Sequence, residues 1–187
     1  MPETNVSRQW PWFALAAAVI VLDQGTKALA LAQLDYASPV QWLPVLNMTL
    51  HFNTGAAFSF LSEAGGWQRW FFSAIAIAAS AVIAVWLTRL RSQERLLAIS
   101  LSLILGGALG NLWDRIQFGY VVDFISVHYQ HWYFPTFNVA DSAVSVGAVL
   151  MIVDALLQAR RGEGVENAGK NHSPPSGPTG RSGGNGV

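Results

Sequence analysis

The stretch LLAISLSLILGGALGNLWDR, residues 96–115, is apolar over most of its length and then ends in Asn111, Asp114 and Arg115. A bilayer core about 30 Å thick takes roughly 20 residues of helix to cross, and this stretch has that length. Its polar end predicts a helix whose outer end meets a wet cavity instead of lipid. Three more stretches match the same requirement, at about 11–31, 67–88 and 138–158. With 52% hydrophobic and 12% charged residues among 187, the chain is too apolar for an ordinary soluble domain and reads as a small multi-pass membrane protein.

Net charge is zero, which gives no support for attraction to nucleic acid. The placement of the charges says more. Arg8 precedes the first span, Arg89, Arg91 and Arg95 fill the second connection, and Arg160 and Arg161 follow the fourth, whereas 34–66 and 116–137 hold no Lys or Arg. The positive-inside rule then predicts cytoplasmic termini and two outward-facing loops, with Trp67, Trp70, Trp113 and Trp132 near the outer boundary. The absence of cysteine excludes a disulfide framework, a thiol nucleophile and a thiolate metal site. Ala28 and Ala30 imitate a signal-peptide cleavage site, but Asp23 and Lys27 interrupt the apolar core such a signal needs, so the first span is read as an anchor.

The fold expected is therefore an all-α membrane protein of four transmembrane helices, with a small outward-facing β-sheet and a short outer helix or loop over the site. The sheet is read from about 40–60, where Leu46, Met48, Leu50 and Phe52 alternate with Asn47, Thr49, His51 and Asn53. The aromatic loop 116–137 is expected to supply the short interfacial helix. Residues 1–161 form one membrane domain. Residues 162–187, rich in Gly with Pro174, Pro175 and Pro178, are expected to be a disordered cytoplasmic tail.

Two acids carry the functional argument. Asp123 in VVDFI and Asp141 in FNVADS each adjoin a spanning segment, where a carboxylate is costly unless paired, solvated or at work. Asp141 with Asn138 also fits helix capping, and Asp123 alone could be an ordinary loop acid. Together they lie at one predicted depth, flanked by Asn53, Asn111, Arg115 and Asn138. Two close carboxyl groups share a proton, so one can activate water while the other polarises a carbonyl, which suits amide hydrolysis. Asp23 and Lys27, four apart, suit an ion pair that compensates charge, and a Ser-Lys base at Lys27 lacks a serine in reach. Gly106, Gly107 and Gly110 mark close helix packing. Asp114 or a substrate carbonyl is the expected partner of Arg115. His128 and His131 form HxxH without a further ligand pattern, so neither metal nor another cofactor is expected.

DQGTK (23–27), FNTGAAF (52–58), GGALGNLWDR (106–115), VVDF (121–124) and FNVADS (137–142) resemble, in order, the motif blocks of the lipoprotein signal peptidases, the signal peptidase II family of bacterial membrane aspartyl proteases. The resemblance implies an inner-membrane enzyme, active toward the periplasmic side, that cleaves diacylglyceryl-modified prolipoproteins before the lipidated cysteine. It implies that Asp123 and Asp141 are the catalytic pair, and that Asn53, Gly55, Asn111, Arg115, Asn138 and Ala140 line or support the site. Asp23 and Lys27 would shape the first helix beside it. It also implies that 40–60 cradles the substrate, that membrane lipid holds the diacyl chains, and that the cyclic peptide globomycin inhibits.

Two other classes fit parts of the pattern. A small transporter or channel subunit can place acids and an Arg at mid-membrane as an ion relay, although this chain lacks an inverted repeat and its acids cluster at one surface. A non-catalytic lipid-binding or assembly protein is the other. A globomycin-sensitive cut in a lipidated precursor separates all three.

Overall fold

The computed structural model describes residues 9–55 and 67–170, with side-chain surroundings described up to 160. Its elements run α1 (Trp10–Gln33), β1 (Val40–Leu43), β2 (Leu46–Asn53), α2 (Trp67–Arg89), α3 (Arg95–Gln117), β3 (Val121–Tyr129), β4 (Trp132–Tyr133) and α4 (Val139–Lys170). The chain divides into two compact units, Met1–Ile152 and Val153–Val187.

Among the described residues, four helices are long and apolar enough to cross a membrane: Trp10–Gln33, Trp67–Arg89, Arg95–Gln117 and Val139–Arg160. At 1.5 Å per residue even a 22-residue span covers about 33 Å, enough for the hydrocarbon core. Pro11 sits in the first turn of α1, where its missing N–H costs no helical bond. The helices are apolar on most sides, and large side chains such as Val21, Leu22, Ile77, Val82 and Val149 stay exposed on the protein alone, the surface that lipid covers.

α3 is the central helix. Its apolar window is 61% buried, against 28% for α1 and 17% for α2, because glycines let neighbours approach it. Gly106 packs on Ala16 and Val19 of α1, while Gly107 packs on the Ala140 carbonyl and Val144 of α4. Leu87, Leu97, Leu101 and Leu105 fill the core between α2 and α3.

The sheet is four-stranded and antiparallel, in the order β1-β2-β3-β4. β2 carries the predicted strand, ending at Asn53; 56–60 of the expected sheet lie outside the described residues. The loop 116–137 does not form the short interfacial helix expected of it. The α3 helix ends at Gln117, Gly119 adopts φ +84° with its N–H bonded to the Arg115 carbonyl (3.1 Å), and the chain turns directly into β3. The β-branched run VVDFISV then pairs with β2.

The pairing is not regular. Leu46, Asn47 and Met48 oppose Val127, Ser126 and Ile125, but His51, Phe52 and Asn53 oppose Asp123, Val122 and Val121, so one extra residue bulges from β2 between Met48 and His51. Beneath the sheet Leu50, Val122 and Phe124 pack on Ala30 of α1. In the C-terminal unit α4 continues to Lys170, past the expected end of the span at 158, and Gln158 Nε2 donates to Asp154 Oδ2 at 2.6 Å. Residues 171–187 of the expected tail lie outside the described residues.

Candidate active site

Asp123 stands on β3, 2% exposed, and Asp141 stands in the first turn of α4. A bridge between β3 and the segment leading into α4 brings them together. Phe137 N–H donates to the Ile125 carbonyl (3.0 Å) and the Ile125 N–H donates back to the Phe137 carbonyl (2.9 Å), which fixes the next residue, Asn138, against the strand.

Asn138 is fully buried and bonds to both acids. Its side-chain amide donates to Asp123 Oδ1 (2.7 Å), and its backbone N–H donates to Asp141 Oδ2 (3.3 Å). The Asp141 N–H returns a bond to Asn138 Oδ1 (2.9 Å), so the two residues form a reciprocal cap on α4. The capping expected from sequence is present, and the same two side chains also reach into the site. Asn111 of α3 completes this layer: its Nδ2 donates to Asp141 Oδ1 (2.7 Å), and its Oδ1 accepts from Asn138 Nδ2 (3.2 Å).

Asn53 approaches from β2 and donates from Nδ2 to Asp123 Oδ2 at 3.0 Å. Its Oδ1 accepts the Gly55 N–H (2.8 Å) in an Asx-type turn, which settles the direction of the amide, and Gly55 takes φ +88°, favoured only by glycine. Burial drives the Asp123 carboxyl up from its ordinary 3.8 to about 6; the charge of Asp141 adds to the rise, while the bonds from Asn53 and Asn138 oppose it.

Below this layer lies a buried ionic cluster. Lys27 Nζ is 2.8 Å from Asp23 Oδ2, the ion pair expected from their spacing, and also 2.8 Å from Asp114 Oδ2. Lys27 further donates to Asn111 Oδ1 (3.0 Å), and the Ala140 N–H donates to Asp23 Oδ1 (2.9 Å). Arg115 stands apart from the expectation. Its neighbour Asp114 faces Lys27 instead; the Arg115 guanidinium donates to the Asn111 carbonyl (3.4 Å) and lies 5.5 Å over the Phe72 ring.

Of the residues singled out from sequence, Asn53, Asn111, Asn138, Asp123 and Asp141 are joined directly by side-chain bonds. Lys27 bonds directly to Asn111, while Gly55, Ala140 and Asp23 join through backbone N–H groups or one intervening side chain. Asp114 and Gln24 were missed as members of this cluster. Gln24 donates to Asp114 Oδ1 (2.8 Å) and to Asp23 Oδ2 (3.1 Å). A signal existed: Asp114 in a span bears a charge that needs an opposite one, and Lys27 lies in another span. His128 stacks on Tyr133, ring centroids 5.1 Å apart. An apolar cavity of about 390 Å³ opens between α1 and the sheet, lined by Leu29, Leu34, Trp42 and Phe124 among others, and neither acid lines it.

The family model described as signal peptidase (SPase) II matches residues 15–157. The chain is 52% identical over 165 residues to a protein named lipoprotein signal peptidase from Pseudomonas aeruginosa (strain UCBPP-PA14), covering 87% of this chain and 98% of that one. It is 54% identical over 143 residues to the lipoprotein signal peptidase of Acinetobacter baumannii (strain ATCC 17978), covering 76% and 81%. Among solved structures, a bacterial membrane enzyme at 1.9 Å resolution is similar with a TM-score of 0.69 and 32% identity, over 78% of this chain and 92% of that one. The transporter or channel alternative finds no support in these relatives.

Proposed function

This chain belongs to the signal peptidase II family, multi-pass bacterial membrane aspartic peptidases that process prolipoproteins, and we propose that Asp123 and Asp141 are its catalytic pair. The observation that supports the pairing is Asn138, one buried side chain and backbone bonded to both carboxyl groups. Such an amide holds two acids near a common point without contributing a charge of its own.

The roles follow from the surroundings. Asp141 stands in the first turn of α4, at the positive end of the helix dipole. Asp123 is buried on a strand, with its carboxyl raised to about 6, and is the partner that carries the shared proton. A water between them gives a proton to Asp141 as its oxygen bonds to the scissile carbonyl carbon, while Asp123 donates to the carbonyl oxygen. In the collapse the C–N bond breaks, Asp141 returns its proton to the leaving nitrogen, and Asp123 recovers one from the tetrahedral carbon's hydroxyl. The products are a carboxylic acid and an amine, with no covalent enzyme intermediate.

The substrate is a precursor bearing a diacylglyceryl group on a cysteine, cut on the amino side of that cysteine. Its acyl chains stay in lipid beside the helices while the peptide crosses the polar layer. Asn53, Gly55, Asn111, Arg115, Asn138 and Ala140 line or brace the site, and globomycin competes for it. Both termini are cytoplasmic and the acids face the periplasmic side, as the Arg8, Arg89, Arg91 and Arg160 distribution favours.

Asp123→Asn and Asp141→Asn, purified in detergent and given a diacylglyceryl prolipoprotein, are expected to release no signal peptide while remaining inserted. Substantial turnover by either variant overturns the pairing. Because the chain has no cysteine, single cysteines placed in 34–45 and near Arg91 report orientation by their reaction with an impermeant maleimide.

A further inference from the structure

Lys27 holds two buried carboxylates, and each of those accepts the backbone N–H of the residue just before one member of the catalytic pair. Asp114 Oδ2 accepts the Val122 N–H (3.0 Å), one residue ahead of Asp123. Asp23 Oδ1 accepts the Ala140 N–H (2.9 Å), one residue ahead of Asp141. Lys27 Nζ stands 2.8 Å from each carboxylate, and Gln24 Nε2 also reaches both, at 3.1 and 2.8 Å. Asp23, Lys27 and Asp114 are at most 2% exposed.

We propose that Asp23, Lys27 and Asp114 form a positioning clamp that sets the separation of Asp123 and Asp141 by holding the strand and helix backbones from which they project. The proposal rests on the reading of those two acids as the catalytic pair. The clamp also fixes an amide. Lys27 is a donor only, so its bond to Asn111 Oδ1 (3.0 Å) leaves Asn111 Nδ2 as the end that meets Asp141. None of the three clamp residues bonds directly to either catalytic acid; each acts through Val122, Ala140 or Asn111. Charge compensation alone requires only one anion for one cation. The second anion, the matched backbone acceptors and the bridging Gln24 are what a positioning role adds.

The test compares Lys27→Arg, Asp114→Asn and Asp23→Asn in the full chain, with kcat, KM, the pH profile of kcat and thermal unfolding measured on each. Lys27→Arg keeps the charge and changes the geometry. Mispositioning by about 1 Å costs on the order of a hundredfold in rate, so kcat is expected to fall by that order in folded protein while KM moves less than about threefold. Asp23→Asn combined with Asp114→Asn is expected to lose little more than the worse single variant, because the clamp acts as one unit. Unchanged kcat in folded variants overturns the proposal, and so does activity that merely follows the folded fraction. Asp123→Asn is assayed alongside: turnover by that variant removes the catalytic pair itself, whereas its inactivity beside fully active clamp variants removes only the clamp.

Discussion

Asn53 donates to Asp123 across a strand pair whose register shifts by one residue before they meet. Without the extra residue in β2, Leu50 would oppose Asp123, and Asn53 would point to the opposite face. The bulge exchanges the faces, so His51 opposes Asp123 and Asn53 lies diagonally beside it on the same side.

The Asn53 bond favours the ionised form of Asp123 and so opposes the rise caused by burial. If Asp123 carries the shared proton, kcat/KM falls as pH rises through about 6, where that carboxyl ionises. Asn53→Ala removes one donor to the carboxylate and is expected to move this falling limb to higher pH. At its own optimum the variant should be at most about a hundredfold slower, the low end of what general acid-base catalysis contributes, because Asp123 itself remains. Rate profiles from pH 4 to 9 on both proteins check the direction, and a shift to lower pH would be the wrong sign.

The same carboxyl makes a stability prediction. Its folded value, about 6, lies above the ordinary 3.8, so the folded protein binds the proton more tightly than the unfolded chain does. Its contribution is fully present below pH 4 and is lost as pH rises through about 6. Asp123→Asn cannot titrate. The stability of the variant relative to the parent should therefore improve between pH 4 and pH 7 by on the order of 2 to 3 kcal/mol. Unfolding in detergent at those two pH values measures the change in the difference, which is independent of any constant cost of the amide.

Much of this arrangement was legible in the residues, and the illegible parts have physical reasons. Four spans follow from apolar length, and the Asp23–Lys27 pair follows from helical spacing. Asn138 and Asp141 read correctly as a cap, because that geometry is local. The bulge left no mark in the alternation of 46–53, since it depends on how β2 meets β3. The strand at 121–129 was mistaken for part of a helix or loop because its partner lies about 75 residues away, beyond any local signal. Asp114 looked like a neighbour for Arg115 only because the two are adjacent in sequence; on a helix they diverge, and Lys27 comes from α1.

Helix packing gives a separate prediction at Gly110. A Cβ built there would lie 2.6 Å from Asp23 Oδ2, so Gly110→Ala must push α1 or turn the Asp23 carboxylate. Overpacking of this kind costs about 1 to 3 kcal/mol. A lower unfolding temperature is expected, together with slower turnover, since Asp23 also holds the Ala140 N–H. An exposed control, Gly25→Ala, meets nothing within 4 Å and sits inside α1, where alanine is the better helix former. It should leave turnover unchanged and not lower the unfolding temperature.

Asn138 distinguishes holding the acids from merely capping a helix. Asn138→Asp keeps a good cap, since its Oδ can still accept the Asp141 N–H. It replaces the amide that donates to Asp123 with a third carboxyl group, so a donor becomes an acceptor between two acids. Asn138→Ser keeps a cap as well but is too short to span to Asp123. If the bridging amide matters to catalysis, both variants should fold and both should lose on the order of a hundredfold in kcat, as a mispositioned pair does. If capping were its whole contribution, both would retain parental turnover. Side-by-side kcat and unfolding measurements on the two variants separate these outcomes.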